Sequence, residues 1–213
     1  MAINAQLNKS RQTIPRCGLQ ILREALGLSK STHPSIWTDS FLMAIDFENN
    51  DNIRSGFARG KECQVGVATL DTRDLQKGYL SLAKDIKTLN YISGSKQYIK
   101  KVSEKCLFAE TLVVKPANFL KTIQQIIPQD QNRRVIIISH GAQNELTLLQ
   151  ALGYKFSKNM YVFDTFLVAK EAFGYGYSLS ELLRRVRCPY DNLHNAGNDA
   201  YFTLRASLIL ALD

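Results

Sequence analysis

The chain has 213 residues, 45% hydrophobic and 22% charged, a composition of ordinary globular proteins and a length able to bury about 70% of the unfolded surface in one domain. Twenty-seven Lys and Arg against 19 Asp and Glu leave a net charge of +8, which favours a polyanionic partner, nucleic acid first and an anionic membrane surface second. Cys17, Cys63, Cys106 and Cys188 lack metal-ligand spacing, which argues against a disulfide framework or zinc knuckle, and no apolar run approaches the ~20 residues of a membrane span.

Residues 1–39 read as a basic arm and a short helix. Lys9, Arg11, Arg16 and Arg23 stand among Ser10 and Thr13 with no acid before Glu24. Such an arm is compatible with a mitochondrial transit segment, although a basic chain end is the commoner case; nothing there resembles a secretory signal, and the expected location is intracellular, in cytoplasm or nucleus. Apolar residues recur at helical intervals from Leu19 to Leu28, and Pro34 marks a turn.

Residues 40–213 read as one α/β domain. Residues 41–48, 63–72 and 106–114 are predicted strands, followed by a helix at "FLKTIQQII" that Pro128 ends. "VIIISH" (135–140) is a buried strand, "QNELTLLQALG" (143–153) a helix and "MYVFDT" (160–165) a fifth strand; "SLSELLRRV" (178–186) and "NDAYFTLRASLILAL" (198–212) complete the chain as helices. Strands first, then strand and helix in alternation, predict a mixed sheet between helices. Between the second and third strands, residues 76–105 form an insertion with seven lysines against Asp85 and Glu104, interleaved with Tyr79, Tyr91 and Tyr98. Lysines tracking phosphates and tyrosines stacking on bases would make it a single-strand channel; a solvated helical insertion fits equally well.

Two spacings carry chemistry. Side chains at i and i+2 of a strand share a face, so Asp46 and Glu48 project together, able to share a divalent cation, while Phe47 enters the opposite layer. His194 precedes Asp199 by five residues at the start of the last helix, where both reach the helix mouth. Each is weak alone: many strand ends carry solvated acids, and a lone His usually packs or caps.

Together "AIDFEN", "IISHGAQNELTLLQALG" and "LHNAGNDAYFTLRA", with "FDT" at 163–165, resemble the DEDDh family of 3'-to-5' exonucleases over most of residues 40–212. The wording of the last motif is most similar to a fungal branch that includes an Argonaute-interacting exonuclease and proteins linked to mRNA export. The resemblance implies a ribonuclease-H-like fold, a five-stranded mixed sheet with helices on both faces and acids gathered over its centre. It implies two Mg2+ or Mn2+ ions, Asp46 bridging them, Glu48 and Asp199 on the ion that binds attacking water, Glu145 in the shell of the other, and His194 as the base. Glu145 stands where the family has aspartate, with Asp164 as a conceivable substitute, and Asn49 and Asn50 replace the family's usual small residue and leucine. The expected partner is single-stranded nucleic acid, RNA before DNA, with Asn49, Lys96, Lys100, Lys101, Arg184 and Arg185 as candidate contacts and an RNA-processing protein as a further partner. The alternative is an exonuclease-fold module, catalytically weakened or inactive, that binds nucleic acid or such a protein.

Overall fold

In the computed structural model, residues 14–29, 35–75, 85–130 and 132–213 are described; the start of the basic arm, the turn at Pro34 and the first part of the insertion with Tyr79 lie outside them. In chain order the elements are α1 (Leu19–Ala25), β1 (Ser40–Glu48), α2 (Asn50–Arg54), β2 (Cys63–Asp71), α3 (Thr72–Leu75), β3 (Lys87–Ser93), α4 (Lys96–Ser103) and β4 (Thr111–Val113). A 3-10 turn at Pro116–Asn118 leads into α5 (Phe119–Ile126), β5 (Arg134–Ser139), α6 (Gln143–Ala151), β6 (Met160–Asp164), α7 (Thr165–Phe173), α8 (Leu179–Arg185) and α9 (Ala196–Leu212).

The strands form one sheet in the order β4-β3-β2-β1-β5-β6. β2 runs antiparallel to β1 and β3, while the β1–β5, β5–β6 and β3–β4 pairs are parallel. Every strand except β2 therefore ends at the same edge, and β1 delivers Asp46 and Glu48 there. Period-two alternation sorts the side chains into two cores. Leu42, Ala44, Ile136 and Ile138 pack with residues of α1, α7, α8 and α9, whereas Met43, Ile45, Phe47, Val135 and Ile137 pack with residues of α2, α5 and α6. Asp46 and Glu48, in phase with Leu42 and Ala44, belong to the α9 side of the sheet.

The mixed sheet covered on both faces is the expected ribonuclease-H-like arrangement, with six strands instead of five. The additional strand, β3, lies in the Lys/Tyr-rich stretch expected to be a channel or helix. Its first residue is exposed and its last four are buried, so a charged start masks a strand that pairs with β2 over seven residues. The strand expected over 106–114 shrinks to Thr111–Val113. Ahead of it the chain is drawn onto α9: the Leu107 N–H donates to Asn198 Oδ1 at 2.8 Å, and Phe108 stacks on Tyr201 with ring centroids 3.7 Å apart. Before α1, Pro15 and Cys17 exchange backbone hydrogen bonds of 2.9 and 2.8 Å with Val162, which covers part of the β6 edge.

α9 is apolar on nearly all sides and lies across β1, β2, β3 and β5, as such a helix must to bury its whole circumference. Gly66 permits its approach. A Cβ at Gly66 would lie 1.8 Å from the Ala196 carbonyl oxygen, so the first turn of α9 rests directly on the β2 backbone. Gly66→Ala is therefore expected to destabilise the protein by at least about 1–3 kcal/mol in denaturant unfolding, and to lift Asp199 away from β1. Among the described residues, no helix is long and apolar enough to cross a membrane.

Candidate active site

Asp46 lies opposite Gly66, and Glu48 opposite Gln64, in the β1–β2 register. Because α9 begins over Gly66, Asp199 in its first turns reaches the same ground. The Asp199 Oδ2 accepts the His194 backbone N–H at 3.1 Å, and His194 Nδ1 stands 3.9 Å from Glu48 Oε1. One ligand atom from each of Glu48, His194 and Asp199 lies within 4.8 Å of the others. His194 adopts a left-handed backbone, φ 63°, with its side chain 92% exposed. The conformation is costly for a residue with a Cβ, and here it turns the imidazole towards solvent beside Glu48.

Glu145 arrives from the first turn of α6. It is buried, and Oε1 accepts from Asn144 Nδ2 at 3.2 Å. Asn144 is itself held by Arg54 of α2. The longer side chain, where aspartate was expected from the resemblance, still places its charge close enough to Asp46 to be felt there. Asp164 is occupied otherwise: its carboxylate accepts the Gly141, Ala142 and Phe166 N–H groups, each at 3.0 Å, joining the starts of α6 and α7.

Four carboxylates in a confined, poorly hydrated space repel one another. Burial, then the charges of Asp199, Glu145 and Glu48, holds the Asp46 carboxyl well above the ordinary carboxylate range. Burial raises Glu145 from 4.5 to about 7, partly offset by its own backbone N–H and Asn144. Burial raises Asp199 from 3.8 to about 7, with Glu48 adding to the shift and the His194 N–H opposing it. Burial also raises Glu48, with the His194 charge opposing. Asp46 Oδ2, Glu145 Oε2 and Asp199 Oδ1 are buried without a hydrogen-bond partner. Unpaired buried anions cost several kcal/mol each, and hard divalent cations with oxygen preference fit this donor set.

These shifts carry a sign. The folded protein binds protons that the unfolded chain releases, so stability contributed by Glu145 and Asp199 is complete below about pH 4 and is lost as pH rises through about 7. In chelator, the thermal midpoint is expected to fall between pH 5 and pH 8, with each group contributing up to about 1.4 kcal/mol per pH unit of displacement. Added Mg2+ at pH 8 is expected to restore it. A midpoint that rises with pH in chelator would contradict the assigned repulsion.

Residues 41–210 match the family model DEDDh_C, described as DNA polymerase III subunit epsilon-like, C-terminal domain. The chain belongs to the DEDDh exonuclease family. It is 22% identical to the Saccharomyces cerevisiae protein "Good for full DBP5 activity protein 2" over 195 residues, covering 74% of this chain and 32% of that protein. It is 25% identical to the uncharacterized protein YDR514C of the same yeast over 181 residues, covering 69% and 37% respectively. The chain thus spans about a third of the length of the curated relatives it matches. Among solved structures, S. pombe Pop2p in its Mg2+- and Mn2+-bound form is similar with a TM-score of 0.45 and 14% identity, over 92% of this chain and 90% of that one.

The third DEDDh motif of this chain also contains its own scaffold. Asn195 caps α9 by accepting from the Asn198 N–H at 3.3 Å and donates to the Val102 carbonyl at 3.1 Å. Asn198 donates to the carbonyls of Lys105 and Asn192, both at 2.8 Å. Both asparagines are buried, and they clamp the end of α4 to the loop that presents His194.

The candidate nucleic-acid contacts divide. Asn49 follows Glu48 in a left-handed conformation, φ 61°, and donates to the Tyr98 hydroxyl at 2.8 Å. Lys101 lines a cavity of about 260 Å³ with Asn49, Glu48 and His194, whereas Lys100 faces Glu104 at 3.9 Å and Lys96 is exposed at the start of α4. Arg184 Nε donates to the Ser180 carbonyl at 3.4 Å, and Arg185 stacks over Phe173 at 4.8 Å; neither lines this cavity. Sequence reasoning missed Gln64, Lys105 and Asn195, which do line it. Gln64 sits opposite Glu48, a relation that only the strand register discloses.

Proposed function

We propose that this protein is a divalent-metal-dependent 3'-to-5' exonuclease that shortens single-stranded RNA, and DNA less readily. The observation carrying the reading is the convergence of Asp46, Glu48, Glu145 and Asp199, three of them with buried unpaired oxygens, beside the exposed imidazole of His194. Those four carboxylates would hold two Mg2+ or Mn2+ ions. When bound, such ions supply a hydroxide-like nucleophile at neutral pH and neutralise charge on the leaving oxygen.

The chain's own groups do the rest. His194, its side chain 92% exposed, takes the proton of the attacking water, the work of a general base. The Glu48 carboxylate, 3.9 Å from Nδ1, stabilises the ring electrostatically once it is protonated. The backbone bond from His194 to Asp199 keeps the base in register with the acids. RNA is preferred, and a place beside an RNA-processing protein in cytoplasm or nucleus is proposed, on the likeness of the third motif to the fungal branch with proteins linked to mRNA export; one relative is named for DBP5 activity.

The direct test uses matched RNA and DNA strands labelled at either end, incubated with Mg2+, Mn2+ or chelator. Stepwise shortening from the 3' end, absent in chelator and faster on RNA, is the expected result. Strands retained on the protein without shortening in either metal would overturn it in favour of a binding module.

A further inference from the structure

The cavity beside Glu48 and His194 does not include Asp46, Glu145 or Asp199. It opens on the β2 and α4 side of the acids, and its polar groups have the opposite character. Lys101 projects from the last turn of α4 and Lys105 stands just past it. Neither ammonium pairs with a carboxylate among the described residues, in contrast to Lys100, which faces Glu104. The backbone of Lys105 is fixed although its side chain is exposed: its N–H bonds the Val102 carbonyl at 3.1 Å, and its own carbonyl accepts from the buried Asn198 at 2.8 Å.

Tyr98 supplies a third donor. The Gln64 Oε1 accepts the Ala196 N–H at 3.2 Å, which orients the amide so that Nε2 donates to the Tyr98 hydroxyl at 3.2 Å. Asn49 donates to the same oxygen at 2.8 Å. A phenol oxygen has two acceptor sites, and both are filled. Its own hydrogen meets no acceptor among the described residues and is left to be donated. Apart from Glu48, the charged or hydroxyl-bearing residues lining the cavity beside His194 are Tyr98, Lys101 and Lys105, and a phenol donor with two ammonium groups suits an anionic occupant.

We infer that the Tyr98–Lys101–Lys105 cavity is a second phosphate subsite, holding a phosphate of the strand other than the one being cut. The inference rests on the exonuclease reading for its place in the reaction, but not for the binding itself. The scissile phosphate belongs over the acids and their cations. The second phosphate comes either from the linkage on the 5' side of the scissile bond or from a 3'-terminal phosphate, and both present the same non-bridging oxygens to the same donors.

The test measures equilibrium binding of fluorescent single-stranded RNA to the full chain in Ca2+, separately from cleavage in Mg2+. Lys101→Gln with Lys105→Gln, both at exposed positions, is expected to weaken binding about 5- to 20-fold and to lower the slope of log K against log salt by about 0.7. Tyr98→Phe is expected to weaken binding about 3- to 10-fold with the slope unchanged, because it removes a hydrogen-bond donor and no charge. A neutral methylphosphonate at the linkage 5' to the scissile bond abolishes the effect of the lysine variant if that linkage is the ligand. A 3'-phosphate that tightens wild-type binding, but not binding by the lysine variant, identifies the terminal group instead. Lysine-variant binding and salt slope equal to wild type on all three strands would overturn the subsite. Wild type that binds with the expected slope yet never shortens a strand would overturn the exonuclease reading and leave the subsite standing.

Discussion

Asp46→Asn is expected to reduce strand shortening by at least about 10³-fold while leaving the fold intact, since an amide of the same shape cannot supply the charge. The same change should stabilise the chelated protein. It removes a carboxylate that burial and three acidic neighbours hold well above its ordinary range, a relief of about 1–3 kcal/mol at pH 8. Wild type is expected to gain stability on adding Mg2+, by mass action on the folded state, and the variant to gain far less. Denaturant unfolding with and without Mg2+, run beside the 3'-end assay, reads both effects. Normal turnover by this variant would end the metal-centre assignment, and equal Mg2+ stabilisation of both proteins would show that the cation binds elsewhere.

His194→Gly should separate chemistry from stability in the opposite way. Loss of the proposed base is expected to slow cleavage about 10²- to 10⁴-fold. Stability, however, should hold or rise by up to about 1 kcal/mol, because glycine accepts φ 63° without the steric penalty that histidine pays there, and its extra unfolded-state entropy offsets only part of that gain. Mg2+ stabilisation should persist, since the four carboxylates remain. Cleavage and Mg2+ affinity falling by the same factor would make the imidazole a ligand in place of a base, a role its atoms within 4.8 Å of the Glu48 and Asp199 ligand atoms also permit.

These two residues show how unevenly the site was legible. The D-x-E phase placed Asp46 and Glu48 on one face without any structure, because strand periodicity leaves no choice. The H-x4-D spacing brought His194 and Asp199 to the mouth of one helix. Neither spacing discloses that His194 is left-handed, or that its N–H is committed to Asp199. Glu145 was readable as an acid at a helix start, yet its burial comes from packing of α6 against the sheet. The lysines fared worst: seven charges over 76–105 concealed β3, and i,i+4 pairing with Glu104 gives Lys100 a partner that Lys101 lacks among the described residues.

By itself the sequence determined the class of the fold, five of the six strand positions, the apolar last helix, the shared strand face of Asp46 and Glu48 and the shared helix mouth of His194 and Asp199. Local periodicity is enough for these, because each follows from which face of one strand or helix a side chain occupies. Only the tertiary structure decided that α9 rests on the β2 backbone at Gly66, that the acids converge closely enough to raise one another's pKa, and that Lys101 and Lys105 share a cavity with Glu48. Those facts depend on distances between elements far apart in the chain, and strand register together with helix packing sets them.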